Sequence, residues 1–198
     1  MTVRLLALLA LLAPSHALGG NQVYERLSES ARASMQASLA ERSVPFLNFG
    51  NPADAQKWVY EMSARLRQRM PDRKQRFEFL KTVHHEALRA RLDPQLVLGL
   101  IEVESGFRKY AVSSAGARGY MQVMPFWVRE IGEPKHNLFS LRTNLRYGCL
   151  ILRHYLDIEN GDYFRALGRY NGSLGRAGYP TLVHAHWQGR WRYDGPKG

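Results

Sequence analysis

Apolar residues recur at three- and four-residue intervals through most of this chain, while strand signals are few, so helices dominate the reading. Residues 21–42 carry Tyr24, Leu27, Ala31, Met35 and Leu39 at helical spacing. Ser43 to Gly50 contains Pro45, Phe46, Leu47 and Phe49 and reads as a loop packed by its own aromatics. Asn51 as N-cap, Pro52 at the first helical position and Asp54 in the first turn open a second helix, whose stripe is Ala55, Trp58, Val59, Met62 and Leu66. Met70-Pro71-Asp72 breaks it, and a third helix carries Phe77, Leu80, Val83, His84, Ala87 and Leu88. A fourth spans 93–105, with Asp93 as cap, Pro94 at the first position and Gly106 at the C-terminal turn. Lys109 to Val123 is rich in small residues and is expected to hold two short strands. Helices follow at Phe126–Ile131, at 143–159 with an Asn160-Gly161 stop, and from an Asp162 cap to Tyr170. Pro180 opens a short last helix, and the tail from Gln188 is expected to be poorly ordered. The class is mainly α, with a small β element.

The fourth helix holds the residue of greatest chemical interest. At about 100° per residue, Glu104 lies over Val97, Leu100 and Ile101, while Glu102 lies roughly opposite, aligned with Gln95 and Gly99. A carboxylate on a buried face at the negative end of a helix dipole is disfavoured as an anion twice over, which raises its pKa toward general-acid range. An isolated buried Glu is more often satisfied by a salt bridge. Here, however, the 25 residues after Glu104 contain no Asp or Glu, and their charges, Arg108, Lys109, Arg118 and Arg129, are all positive.

Composition narrows the setting. Arg4, the apolar run Leu5 to Ala13 and Pro14-Ser15-His16-Ala17 have the form of a secretory signal cleaved after Ala17; the run is too short to span a bilayer. No cysteine follows it, so a lipid anchor is not indicated, and a periplasmic, unanchored protein is expected. The formal net charge of +11 falls by one when Arg4 leaves with the signal. Such a charge suits nucleic acid, anionic lipid or an acidic polymer; export disfavours nucleic acid. Cys149, the one cysteine, falls on an apolar helical face with Leu145, Leu152 and Leu156 and reads as core. His84-His85-Glu86 lacks the spacing that puts two metal ligands on one helical face, and no metal or cofactor is expected.

Four motifs in order carry a resemblance. They are Glu104-Ser105, Gly119-Tyr120-Met121-Gln122 with Met124-Pro125, Asn144 with Gly148, and Tyr170-Asn171-Gly172. Together they make residues 80 to 185 similar to the catalytic domain of the soluble lytic transglycosylases, enzymes that cleave bacterial cell-wall glycan. The resemblance implies a lysozyme-like fold and peptidoglycan as partner. It implies that Glu104 protonates the leaving oxygen between N-acetylmuramic acid and N-acetylglucosamine, then takes a proton from the muramic C6 hydroxyl, leaving a 1,6-anhydro end. It also implies that the Tyr170 phenol touches Glu104, and that Ser113, Gln122, Met124 and Asn171 line the cleft near the sugar. The chain departs from the family's usual residues at Tyr120, Ser173, Arg169 and Trp127; an aromatic at Trp127 suggests stacking on a sugar. The domain reading is a signal at 1–17, a helical region at 18–78, the catalytic domain at 79–188 and a tail at 189–198. Two rivals stay open: a hydrolase resembling goose-type lysozyme, and a non-catalytic wall-binding protein.

Overall fold

The computed structural model describes residues 22–198, so the expected signal at 1–17 lies outside the described residues. Eight helices follow in chain order among them: α1 (Glu29–Ala40), α2 (Pro52–Leu66), α3 (Arg73–Arg89), α4 (Pro94–Ser105), α5 (Phe126–Ile131), α6 (Leu141–Ile158), α7 (Tyr163–Asn171) and α8 (Gly178–Gln188). None is long and apolar enough to cross a membrane.

The caps that the sequence advertises are made. Asn51, Asp93 and Asp162 each accept a bond from a backbone N–H in the first turn of α2, α4 and α7, satisfying donors that a helix start leaves open. Asn160 and Gly161 both take positive φ, 51° and 85°, where α6 stops. The first helix begins later than its apolar spacing suggests. Ser28 caps it, accepting from the Ala31 N–H, so Tyr24 and Leu27 precede the helix. On α3 the expected stripe is buried at Leu80, Val83, His84 and Ala87, but Phe77 faces solvent and Phe79 takes its place in the core. The boundary expected near residue 78 falls inside α3, which packs against α2, α4 and α6.

Helix α4 is the axis of the molecule. Every residue from Pro94 to Glu102 is buried, because α3 and α8 cover it, and its strongest packing is against α8. A helix apolar all round needs such a jacket. The expected strands between Lys109 and Val123 reduce to two isolated antiparallel bridges, Val112 with Arg118 and Arg118 with Val123. Side-chain bonds from neighbouring helices, and not a sheet ladder, fix this loop.

The tail corrects the expectation of disorder. Trp191 is fully buried, its ring lies 5.4 Å from that of Phe107, and its Nε1 donates to Glu102 Oε2 at 2.7 Å. Farther on, His84 Nε2 donates to the Lys197 carbonyl at 2.8 Å, and Lys197 Nζ reaches Asp93 at 2.6 Å. Gly and Arg suggested a loose end, but one large aromatic anchors it to the core.

The His84-His85-Glu86 triplet is spent on packing. His85 Nε2 bonds with Ser43 Oγ, while Glu86 is ringed by Arg89, Arg142 and Arg146 and ties α3 to α6.

Candidate active site

Glu104 lies one residue before the end of α4, which Gly106 closes in left-handed conformation. Its side chain is 0 % exposed, over the apolar face expected from the spacing. Burial pushes its carboxyl from the usual carboxylate range up to about 8, against a smaller opposing pull from the Tyr179 hydroxyl. That hydroxyl donates to Oε1 at 2.5 Å, while Oε2 is buried and has no hydrogen-bond partner. No ion pair to Glu104 is present among the described residues. A neutral carboxyl whose Oε1 accepts a bond keeps its acidic proton on Oε2. The group is a buried acid with one oxygen that has no partner among the described residues.

The loop that follows α4 is held by side chains from three of the four motifs, the second motif being the loop itself. Ser105 Oγ donates to the Tyr120 carbonyl at 2.7 Å. Asn144 Oδ1 accepts from the Met121 N–H at 2.8 Å, and its Nδ2 donates to the carbonyls of Arg118 and Leu138, each at 2.8 Å. Tyr170 donates to the Met121 carbonyl at 2.7 Å. Two glycines make the approach possible. A Cβ on Gly119, at φ 76°, would come within 2.5 Å of Asn144 Nδ2, and one on Gly148 would overlap the Met121 side chain. Buried backbone polar groups need partners, and these side chains provide them where no ladder does.

The expected site residues fall into different places. Gln122 is buried with φ 49°; its Nε2 donates to the Ala111 and Gly119 carbonyls at 3.1 and 2.9 Å, leaving Oε1 without a partner. Ser113 accepts from the Ala117 N–H at 3.1 Å and so closes its own turn. Met124 is half-buried, with its N–H bonded to Gln22 Oε1 at 3.3 Å, and Asn171 ends α7. Tyr170 is close enough for the Glu104 charge to oppose its ionisation, but its hydroxyl goes to the loop. The phenol that bonds Glu104 is Tyr179's, while that of Tyr170 bonds the Met121 carbonyl.

Trp127 is also corrected as a sugar platform. It is 3 % exposed, packed among Phe126, His154 and Tyr155, and its Nε1 donates to Gln22 Oε1 at 3.0 Å. Apolar neighbours on α5 and α6 claim the ring before a ligand could.

Sequence reasoning missed Tyr179 and Gln22. Tyr179 sits at the start of α8, 75 residues from Glu104, in a segment without periodic pattern. Only Pro180 beside it marks a helix start, and that reports local structure, not the partner. Gln22 precedes every helix and carries no local signal.

Within a mainly helical fold, a buried carboxyl with no cation beside it among the described residues ends α4, next to a loop whose backbone is bonded by side chains. A family model described as the transglycosylase SLT domain matches residues 81–180, half of the chain, and the protein belongs to that family. It is 31% identical over 109 residues to a "Transglycosylase" of Enterobacteria phage PRD1, covering 55% of this chain and 40% of that protein. It is 50% identical over 99 residues to "Membrane-bound lytic murein transglycosylase C" of Actinobacillus pleuropneumoniae serotype 5b, covering 46% and 26%. A protein of the same name from Histophilus somni strain 2336 is 34% identical over 113 residues, covering 49% and 31%. The matched part is thus less than half the length of each of these relatives.

Proposed function

We propose that the protein is a peptidoglycan lytic transglycosylase, exported to the periplasm through residues 1–17, that works with Glu104 as its single acid and base. The observation that carries this reading is the state of Glu104: a buried carboxyl, raised to about 8, with a neutral donor on one oxygen and nothing on the other. A carboxyl of that pKa holds its proton near neutral pH and can release it to a departing oxygen.

In the first step the Oε2 proton passes to the glycosidic oxygen between N-acetylmuramic acid and N-acetylglucosamine as the bond to muramic C1 breaks. Glu104, now a carboxylate, stabilises the oxocarbenium-like centre. In the second step the muramic C6 hydroxyl closes on C1 and gives its proton to Glu104, restoring the acid. No water is consumed. The attacking group is already tethered to the reacting sugar, which is a proximity effect.

Hydrolysis would need a second carboxylate, to activate water or act as nucleophile. The later acids are engaged elsewhere: Glu130 with Arg32, Asp157 with Arg153, and Glu159 with Arg165 and Arg169. Glu25 lies beside α7 and is held by two bonds from Arg169, at 2.7 and 3.0 Å.

Digestion of purified sacculi, followed by mass analysis, tests the proposal. Products with 1,6-anhydromuramic ends and no added water are expected. Hydrated products as the main species would replace it with hydrolysis; intact sacculi would leave a wall-binding role.

A further inference from the structure

Many cations of this fold are neutralised by a carboxylate. Glu86 holds Arg89, Arg142 and Arg146, and Glu159 holds Arg165 and Arg169. The loop after α4 is different. Residues 105–129 contain no Asp or Glu, and Arg108, Lys109 and Arg118 make no ion pair among the described residues. Neutral groups place them instead. Arg108 Nε donates to the Ser105 carbonyl at 2.9 Å. Lys109 Nζ lies over the Tyr110 ring, 5.0 Å from its centroid, and Arg118 Cζ lies 5.9 Å from that of Phe139. The two rings meet with centroids 5.8 Å apart, so Lys109 and Arg118 flank one aromatic pair. A ring attracts a cation through its quadrupole and leaves its charge uncancelled.

This surface is open, and its backbone is fixed. Tyr110 is 70 % exposed and Val112 58 % exposed, and the Arg118 side chain is exposed beside them. Between the two apolar residues, the Ala111 carbonyl accepts from the Gly119 N–H at 2.9 Å and from Gln122 Nε2 at 3.1 Å. Val112 pairs with Arg118 in one of the antiparallel bridges. Cations already placed by rings on a tied backbone lose little freedom when an anion arrives. Exposed apolar surface between uncancelled positive charges suits a ligand that carries both carboxylates and apolar faces.

We propose that Lys109 and Arg118, placed by Tyr110 and Phe139, bind carboxylates of the wall glycan, so that the protein prefers an acidic glycan to a neutral one. This rests on the glycan-cleaving reading above. The carboxylates belong to free muramic lactyl groups or to the peptides attached to them. Tyr110 and Val112 offer the apolar floor beside the bound anion.

The test uses the full chain in a Glu104→Gln background, which holds substrate without turning it over. Calorimetry measures the binding of three soluble ligands. They are a tetrasaccharide of alternating N-acetylglucosamine and N-acetylmuramic acid, the same tetrasaccharide bearing its peptides, and a neutral N-acetylglucosamine tetramer. The double variant Lys109→Gln, Arg118→Gln should bind acidic ligands about tenfold more weakly, or about 1.4 kcal/mol, and the neutral tetramer as the parent does. Its melting temperature should change little, since neither side chain gives up an ion pair. Added salt should weaken acidic-ligand binding more in the parent than in the double variant. A loss on both acidic ligands assigns the anion to the lactyl groups, and a loss on the peptide-bearing one alone assigns it to the peptides. Undiminished binding of both would overturn the inference, as would an equal loss on the neutral tetramer. So would a loss confined to binding of phosphatidylglycerol vesicles, which would make the patch a membrane contact. A parent that binds none of the three ligands would remove the glycan reading itself, and this inference with it.

Discussion

Two carboxylates two residues apart on α4 have opposite surroundings. Glu102 is buried against the tail and bound from several sides: Trp191 Nε1 at 2.7 Å, His186 Nδ1 at 3.1 Å, Arg190 at 3.4 Å and Arg69 at 3.9 Å. Glu104 has a single neutral donor and no cation among the described residues. The first side of the helix spends its charge on holding α4 to α8 and the tail. The second leaves a charge without support, so the proton stays on. One helix thus carries a structural acid and the acid proposed for the chemistry, separated by a rotation of about 200°.

The sharpest way to break this comparison is to remove each acid in turn. Glu104→Gln should lower glycan cleavage by at least a hundredfold, within the ~10²–10⁴ that general acid catalysis supplies, while binding to sacculi persists. Glu102→Gln should leave turnover per folded molecule within a small factor and lower stability by about 1–2 kcal/mol, since Arg69 and Arg190 lose their anion. Trp191→Ala should cost more, about 3–5 kcal/mol, because a fully buried indole leaves a cavity. Chemical unfolding and a sacculus assay on the same preparations separate the two readouts. Lost turnover in a well-folded Glu102→Gln would reverse the assignment.

The pH dependence of stability sharpens the contrast. Glu104 is raised from 4.5 to about 8 in the fold, so the folded state binds this proton more tightly than the unfolded chain. Its stabilising contribution is complete below about 4.5 and is lost as pH rises through about 8. Glu104→Gln removes that titration. Its melting temperature should therefore exceed that of the wild type by a margin that grows from pH 4.5 to pH 8. A margin constant across this range would mean that Glu104 is not held neutral.

What the sequence revealed divides along similar lines. Short-range devices were legible: the Asn51, Asp93 and Asp162 caps, the Gly106 stop, and the burial of Glu104 by its position over Val97, Leu100 and Ile101. So was the set of motif residues, but not the bonds they make. Ser105, Asn144 and Tyr170 hold the backbone of residues 118–122 and do not reach for the acid. Periodicity and spacing report which face a side chain takes, not which distant partner it meets. Tyr179 on Glu104, Trp191 on Glu102 and Gln22 on Trp127 all join residues far apart in the chain. The ordered tail shows the same limit: composition suggested a loose end, and a single contact with the core decides otherwise.

The smallest expected effect concerns the two phenols near the acid, and it decides between two assignments. Tyr179→Phe removes the hydroxyl that bonds Oε1, a bond that holds the Glu104 pKa below what burial alone would give. Without it, the carboxyl should titrate higher and become a weaker acid, with its orientation less fixed. One hydrogen bond of this kind is worth about 1 kcal/mol, so kcat should fall between about fivefold and tenfold. Because the reacting form is the protonated acid, kcat/KM falls as pH rises above about 8, and in Tyr179→Phe that limb should move upward. Tyr170→Phe removes a bond to the Met121 carbonyl instead, so it should lower stability by a similar amount and leave the limb in place. A pH–rate profile of both variants checks this directly. An upward move in Tyr170→Phe, with none in Tyr179→Phe, would restore Tyr170 as the residue that tunes the acid.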